Sequence, residues 1–158
     1  MYKSMILALC FAVLNTLPVQ SAVTKKSDRE LSGLKGRVKI WTEEEYGEGE
    51  IFSKKTISRY DISGRLVEKA SYNANGLLQV KVIFKYDDAG RLVTEVSFDA
   101  NGLLGETVYM YDATGNMVEE ASYSADGLLQ VKAMYKYDVS GKMTEKAGYN
   151  TDGSSSGK

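Results

Sequence analysis

An aromatic residue followed four positions later by glycine recurs eight times near the end of this chain, and that spacing constrains the fold more than any other feature. The pairs are Tyr60/Gly64, Tyr72/Gly76, Tyr86/Gly90, Phe98/Gly102, Tyr111/Gly115, Tyr123/Gly127, Tyr137/Gly141 and Tyr149/Gly153. Successive glycines stand 12, 14, 12, 13, 12, 14 and 12 residues apart. A longer echo overlies them: the stretch from Ala70 to Lys81 returns 51 residues later from Ala121 to Lys132. A short fixed period marks a repeat architecture. Such repetition specifies a scaffold before it specifies a chemistry.

The residue after each aromatic is Asp, Asn or Ser: Asp61, Asn73, Asp87, Asp99, Asp112, Ser124, Asp138 and Asn150. These side chains accept hydrogen bonds from the backbone two residues on and so open a turn, which the glycine closes with a positive φ. A type I turn followed by a left-handed glycine is a standard hairpin loop. That geometry sets each aromatic against the residue two beyond the glycine. Tyr60 then faces Leu66, Tyr72 Leu78, Tyr86 Leu92, Phe98 Leu104, Tyr111 Met117, Tyr123 Leu129 and Tyr137 Met143. Aromatic–aliphatic cross-strand pairs of this kind set register. The eighth copy offers Ser155 instead, and the array is expected to stop there.

Between turns the segments 65–72, 77–86, 91–98, 103–111, 116–123, 128–137 and 142–149 read as strands. Segments 37–46 and 51–60, around Gly47-Glu-Gly-Glu50, read as an irregular first hairpin. The fold class is therefore all-β: an antiparallel β-hairpin meander of about nine strands, a curled single sheet. Period-2 alternation predicts an apolar face carrying Leu66, Ala70, Tyr72, Val80, Val82 and Phe84, and a polar face carrying Lys69, Glu120, Gln130 and Lys132. The one-residue shortening between Gly102 and Gly115 predicts that a bulge present in the 14-residue spacings is missing there.

Tyr60-Asp-Ile-Ser-Gly-Arg-Leu66 and Tyr86-Asp-Asp-Ala-Gly-Arg-Leu92 resemble the YD repeat of the Rhs-like family, as do Tyr111-Asp-Ala-Thr-Gly-Asn-Met117 and Tyr137-Asp-Val-Ser-Gly-Lys-Met143. The resemblance covers residues 60–153. In large members of that family such repeats form a β-strand shell around a toxic C-terminal domain. This short chain, ending in Ser154-Ser-Ser-Gly-Lys158, has no room for either, and is more similar to small exported YD-repeat proteins. The resemblance implies a fold and carries over no catalytic residue.

The N-terminus has Lys3, an apolar run from Met5 to Leu17 and a small-residue exit at Ser21-Ala22. This order predicts a signal peptide over residues 1–22, with secretion or a periplasmic location. Cys10, the single cysteine, lies inside the apolar run after Leu9, which argues against lipidation. After cleavage no thiol and no membrane-spanning stretch would remain, leaving packing and backbone pairing to hold the fold. Residues 23–36 read as a polar linker in which Ser27-Asp-Arg-Glu30 caps one helical turn, residues 37–153 as the repeat domain and residues 154–158 as a polar tail. Without Lys3, 19 of the 20 basic residues face 21 acidic ones, a balance that makes no case for nucleic acid.

The chain has no histidine, so Ser-His-Asp and Cys-His nucleophile systems and the usual zinc ligand sets are excluded. One Asp per turn does not make a calcium site, and no cofactor motif is present. Glu68, Glu119 and Glu145 share one slot of the repeat, with Thr94 in the fourth copy. They are the candidates for a carboxylate pair in glycan hydrolysis, against the plainer expectation that they reach water or pair with lysines of neighbouring strands. Trp41, Tyr72, Phe98, Tyr123 and Tyr149 are candidate contacts for a ligand or partner, against cross-strand roles. The leading expectation is a non-catalytic, exported β-repeat binding or structural module at the bacterial envelope, engaging a protein or a glycan. Two alternatives are a small barrel holding an apolar ligand and a glycan-active enzyme using paired carboxylates. An uncovered apolar face also allows a homodimer through that face.

Overall fold

A computed structural model describes residues 28–34, 38–151 and 154 of the chain. The signal peptide, Cys10, Ser27, Gly153 and Ser155 lie outside the described residues. Among them are nine strands in one antiparallel sheet whose order follows the chain. The strands are β1 (Ile40–Tyr46), β2 (Phe52–Tyr60), β3 (Leu66–Asn73), β4 (Leu78–Tyr86), β5 (Leu92–Asp99), β6 (Gly102–Tyr111), β7 (Met117–Ser124), β8 (Leu129–Tyr137) and β9 (Met143–Asn150). Two compact units divide the chain, Met1–Val82 and Ile83–Lys158, and β4 contributes residues to both.

The turns form as their chemistry requires. In seven of them the NH of the residue after the aromatic donates to the carbonyl four residues on, as in Asp61 to Arg65 at 2.9 Å, Asp112 to Asn116 at 2.9 Å and Asp138 to Lys142 at 2.9 Å. The last of these, Asn150 to Ser154 at 2.9 Å, begins an eighth turn where the array was expected to end. The side chains cap the same turns: Asp112 Oδ1 accepts from the NH groups of Thr114 and Asn116, both at 2.9 Å. Ser124 departs from this. Its one hydroxyl hydrogen is shared between Asp126 Oδ1 and the Leu128 carbonyl, so the side chain donates and reverses the expected role.

Register agrees with the expected aromatic pairing for Tyr60↔Leu66, Tyr111↔Met117, Tyr123↔Leu129 and Tyr137↔Met143. Phe98 differs: it pairs with Leu103, and Asp99 pairs with Gly102. The shortened spacing removes a residue from the turn itself and leaves the bulge in place, since the register still shifts between Ser97 and Phe98. Gly102 accordingly takes φ 131°, away from the 75–90° of its counterparts at Gly76 and Gly115.

Those bulges also correct the expected division of faces. Ala121 lies opposite Lys132 and Glu120 opposite Ala133, so Glu120 and Lys132 stand on opposite faces of the sheet. The shift between Ser122 and Tyr123 inserts one residue, and one residue reverses which side the second strand presents. Both faces of this pairing are mixed in polarity.

In the first unit, a four-residue helix α1 (Asp28–Leu31) precedes β1 within the segment expected to be a polar linker. Asp28 Oδ2 accepts from the Leu66 NH at 2.8 Å, and the Tyr60 hydroxyl reaches Ser32 Oγ at 3.5 Å. Leu34 and Val38 are buried with Tyr60, with Trp41 and Leu66 packed against them. Val38, 2 % exposed, is the largest fully buried side chain described. In the second unit, Ala121 and Tyr135 are the buried apolar residues among those described. Few side chains among the described residues are fully enclosed, so cross-strand pairs carry much of the stability. Thr56 and Ser71 share a hydrogen bond at 3.3 Å, and Thr107 and Ser122, 51 residues later in each case, share one at 2.9 Å.

Candidate binding groove

The eight residues expected to contact a ligand fall into different environments. Trp41 lies opposite Ser58 and packs on the Leu34–Val38–Tyr60 cluster. Phe98 pairs with Leu103, Tyr123 with Leu129, and Tyr149 with Lys132. Glu68 is bound to Arg59 at 2.9 Å, Glu119 to Lys132 at 2.7 Å, and Glu145 to Lys136 at 2.9 Å. Each carboxylate thus meets a cation on an adjacent strand. Glu119 and Glu145 stand on β7 and β9, which β8 separates. Tyr72, by contrast, lines an open groove.

That groove belongs to the first unit, on the face opposite Trp41. It encloses about 680 Å³ and is lined by Glu44, Tyr46, Phe52, Lys55, Ile57, Tyr72 and the turn Asn73–Gly76. Register explains the gathering: Glu44 lies opposite Lys55, and Lys55 opposite Tyr72, so the three form one row across β1, β2 and β3. The bulge at Glu45/Tyr46 brings Tyr46 opposite Phe52. Their rings meet edge to face, with centroids 5.8 Å apart and planes at 71°. The Tyr46 hydroxyl donates to Glu44 Oε2 at 2.9 Å, and this bond to a carboxylate pushes the phenol pKa up. Lys55 Nζ stands 3.6 Å from Glu44 Oε1. The groove therefore offers aromatic surface, a carboxylate held by a phenol, and an ammonium with one long contact.

Tyr72 alone of this set was expected from sequence. The others are found where the repeat departs from itself. Lys55 opposite Tyr72 corresponds to Glu106 opposite Tyr123, and Glu44 opposite Lys55 corresponds to Val96 opposite Glu106. Tyr46 opposite Phe52 corresponds to Phe98 opposite Leu103. The ion pair and the phenol are additions to the shared scaffold.

A second groove of about 690 Å³ lies in the other unit, between the turns at Asp112 and Asp138. Its polar groups serve the fold. Asp112 caps its own turn, and the Thr114 hydroxyl with the Asn116 NH holds its carboxyl down to about 2. The Tyr135 hydroxyl donates to Glu120 at 3.0 Å, and the Tyr137 hydroxyl to the Met117 carbonyl at 2.8 Å. Among the described residues no group of three or more His, Cys, Asp or Glu is placed to hold a metal ion. Nor is any helix among them long and apolar enough to cross a membrane.

Residues 78–156, half of the chain, match the model of a family described as "Uncharacterised protein". No curated protein matches the sequence. Among solved structures, the chain is similar to the crystal structure of TcdB2-TccC3-Cdc42, at 16 % identity and a TM-score of 0.39, over 80 % of this chain and 8 % of that one. It is also similar to the crystal structure of TcdB2-TccC3-TEV, at 14 % identity and a TM-score of 0.27, over 84 % of this chain and 10 % of that one. This chain spans about a tenth or less of the length of those structures.

Proposed function

The chain belongs to the family whose model covers residues 78–156, and from that premise we propose that it is a small exported YD-repeat protein that binds a component of the bacterial envelope without catalysis. The observation that carries this reading is the contrast between the groove and the three repeated carboxylates. Glu68, Glu119 and Glu145 are each taken up by a neighbouring cation. The groove around Tyr72 instead holds aromatic and charged groups added to the repeat at a single place. The YD-repeat assignment is supported by turns in which the aspartate caps and the tyrosine reaches an adjacent hairpin.

Cosedimentation with isolated envelope polymers tests the reading. The full chain is expected to sediment with them, to do so less after Tyr72→Ala, and to release no reducing ends from a polysaccharide panel. Release of reducing ends that disappears in Glu119→Gln would overturn it.

A further inference from the structure

We infer that the groove around Tyr72 takes an uncharged glycan chain, an inference that rests on the binding role proposed above and names its ligand class. Three features point there. First, Tyr46, Phe52 and Tyr72 supply aromatic surface, which suits the C–H faces of a sugar ring. Second, Glu44 and Lys55 lie in one row, 3.6 Å apart, and offer an acceptor beside a donor. Adjacent hydroxyls on a pyranose both donate and accept, and so satisfy the two groups together. Third, those charges cancel. A groove of net charge near zero gains nothing from a cationic or an anionic ligand, whereas a neutral polyol keeps the ion pair intact while bonding to it.

Specificity of place comes from the repeat itself. The corresponding place in the other unit has Val96 and Glu106 for Glu44 and Lys55, and Phe98 for Tyr46. It keeps the aromatic and aliphatic surface and lacks both the donor–acceptor pair and the phenol. The Tyr46 hydroxyl, spent on Glu44 Oε2, fixes that carboxylate before a ligand arrives, which lowers the ordering cost of binding. The groove is also open to solvent, so a bound chain can run beyond it, which a sealed cavity would forbid.

The test is an NMR titration of the full chain with cellohexaose, laminarihexaose and N-acetylchitohexaose, alongside a cationic chitosan hexamer, an anionic hexagalacturonate and a neutral hexapeptide. Saturable shifts at Tyr46, Lys55, Tyr72 and Asn73 with at least one neutral hexasaccharide are expected. Tyr72→Ala should weaken binding about tenfold. Glu44→Val with Lys55→Glu, which installs the other unit's residues at half-buried positions, should abolish it while the fold, read from resonances away from the groove, is kept. Trp41, on the other face, should not respond. Stronger binding of a charged hexamer, or of the peptide, at those residues would overturn the glycan class and leave the binding role standing. Absence of any saturable response there, in a chain that still cosediments with envelope polymers, would overturn the groove as the glycan site.

Discussion

The hydroxyl of Tyr137 donates to the carbonyl oxygen of Met117 at 2.8 Å, and that of Tyr111 donates to the carbonyl of Leu92 at the same distance. Each tyrosine thus ties its own turn to the start of the strand that follows an earlier turn. Arg91 strengthens one such junction, with its guanidinium 4.9 Å from the Tyr111 ring and a nitrogen 3.4 Å from the Asp112 carbonyl. Removing the Tyr137 hydroxyl with Tyr137→Phe should cost about 1 kcal/mol in urea unfolding, because the ring stays packed while one acceptor loses its partner. Tyr111→Phe should cost a similar amount.

Two glycines should respond differently to a single methyl group. Gly76 has φ 75° and open space around it, so Gly76→Ala should cost about 1–2 kcal/mol for the left-handed backbone alone. Gly105 sits inside β6, where a Cβ would run into the Tyr123 carbonyl on β7. Backbone must then move, and Gly105→Ala should cost roughly 3 kcal/mol or more. Denaturant midpoints of the two variants give the comparison.

The segment ahead of β1 should be part of the folded unit. Leu34 and Val38 are buried against Tyr60, so Leu34→Ala should destabilise by about 2–4 kcal/mol. A cost near zero would mean that the segment lies loosely on the sheet. Unfolding followed by Trp41 fluorescence reports on this directly, since Trp41 packs on the same cluster.

Acid should weaken the turns. Asp112 is lowered from 3.8 to about 2 by the Thr114 hydroxyl and the Asn116 NH, and Asp138 is lowered by the Ser140 hydroxyl and the Lys142 NH. A carboxyl with a depressed folded pKa contributes stability that is complete above its unfolded value and lost as pH falls through the folded one. The loss for Asp112 therefore runs from about pH 4 down to about 2. Asn caps a turn without titrating, as Asn73 does for Asn75 and Leu77. The double variant Asp112→Asn, Asp138→Asn should show a smaller fall in melting temperature between pH 5 and 2 than the parent chain.

The turns were legible in the sequence because their determinants are local. Asp61 and Gly64 lie within four residues, and nothing distant is needed to bend the chain there. The bulges were legible only in part. The 14-residue spacings signalled one, but its place was not legible, since the extra residue opposite Tyr123 looks like any other strand residue until both strands are paired. That omission alone misassigned the faces of Glu120 and Lys132. Gly105 is another case, outside the glycine period and explained only by the nearness of Tyr123. The groove lies between these extremes. Tyr72 stood out as a landmark, while Glu44 and Lys55 belong to a charged stretch and become neighbours only through register. Aligning the chain with itself would have flagged them, because they break its own pattern.

The segment around α1 has a consequence for how chains of this type change length. Tyr60 opens the series of full Tyr-Asp turns, and its hydroxyl reaches Ser32 while Asp28 receives the NH of Leu66. The beginning of the array is thereby closed by groups outside the repeat, as terminal caps close other repeat proteins. A gene duplication that inserts another 51 residues further along leaves that closure untouched. Length can then grow by whole units under one unchanged starting piece, and a groove built at the first hairpin travels unaltered through every longer descendant.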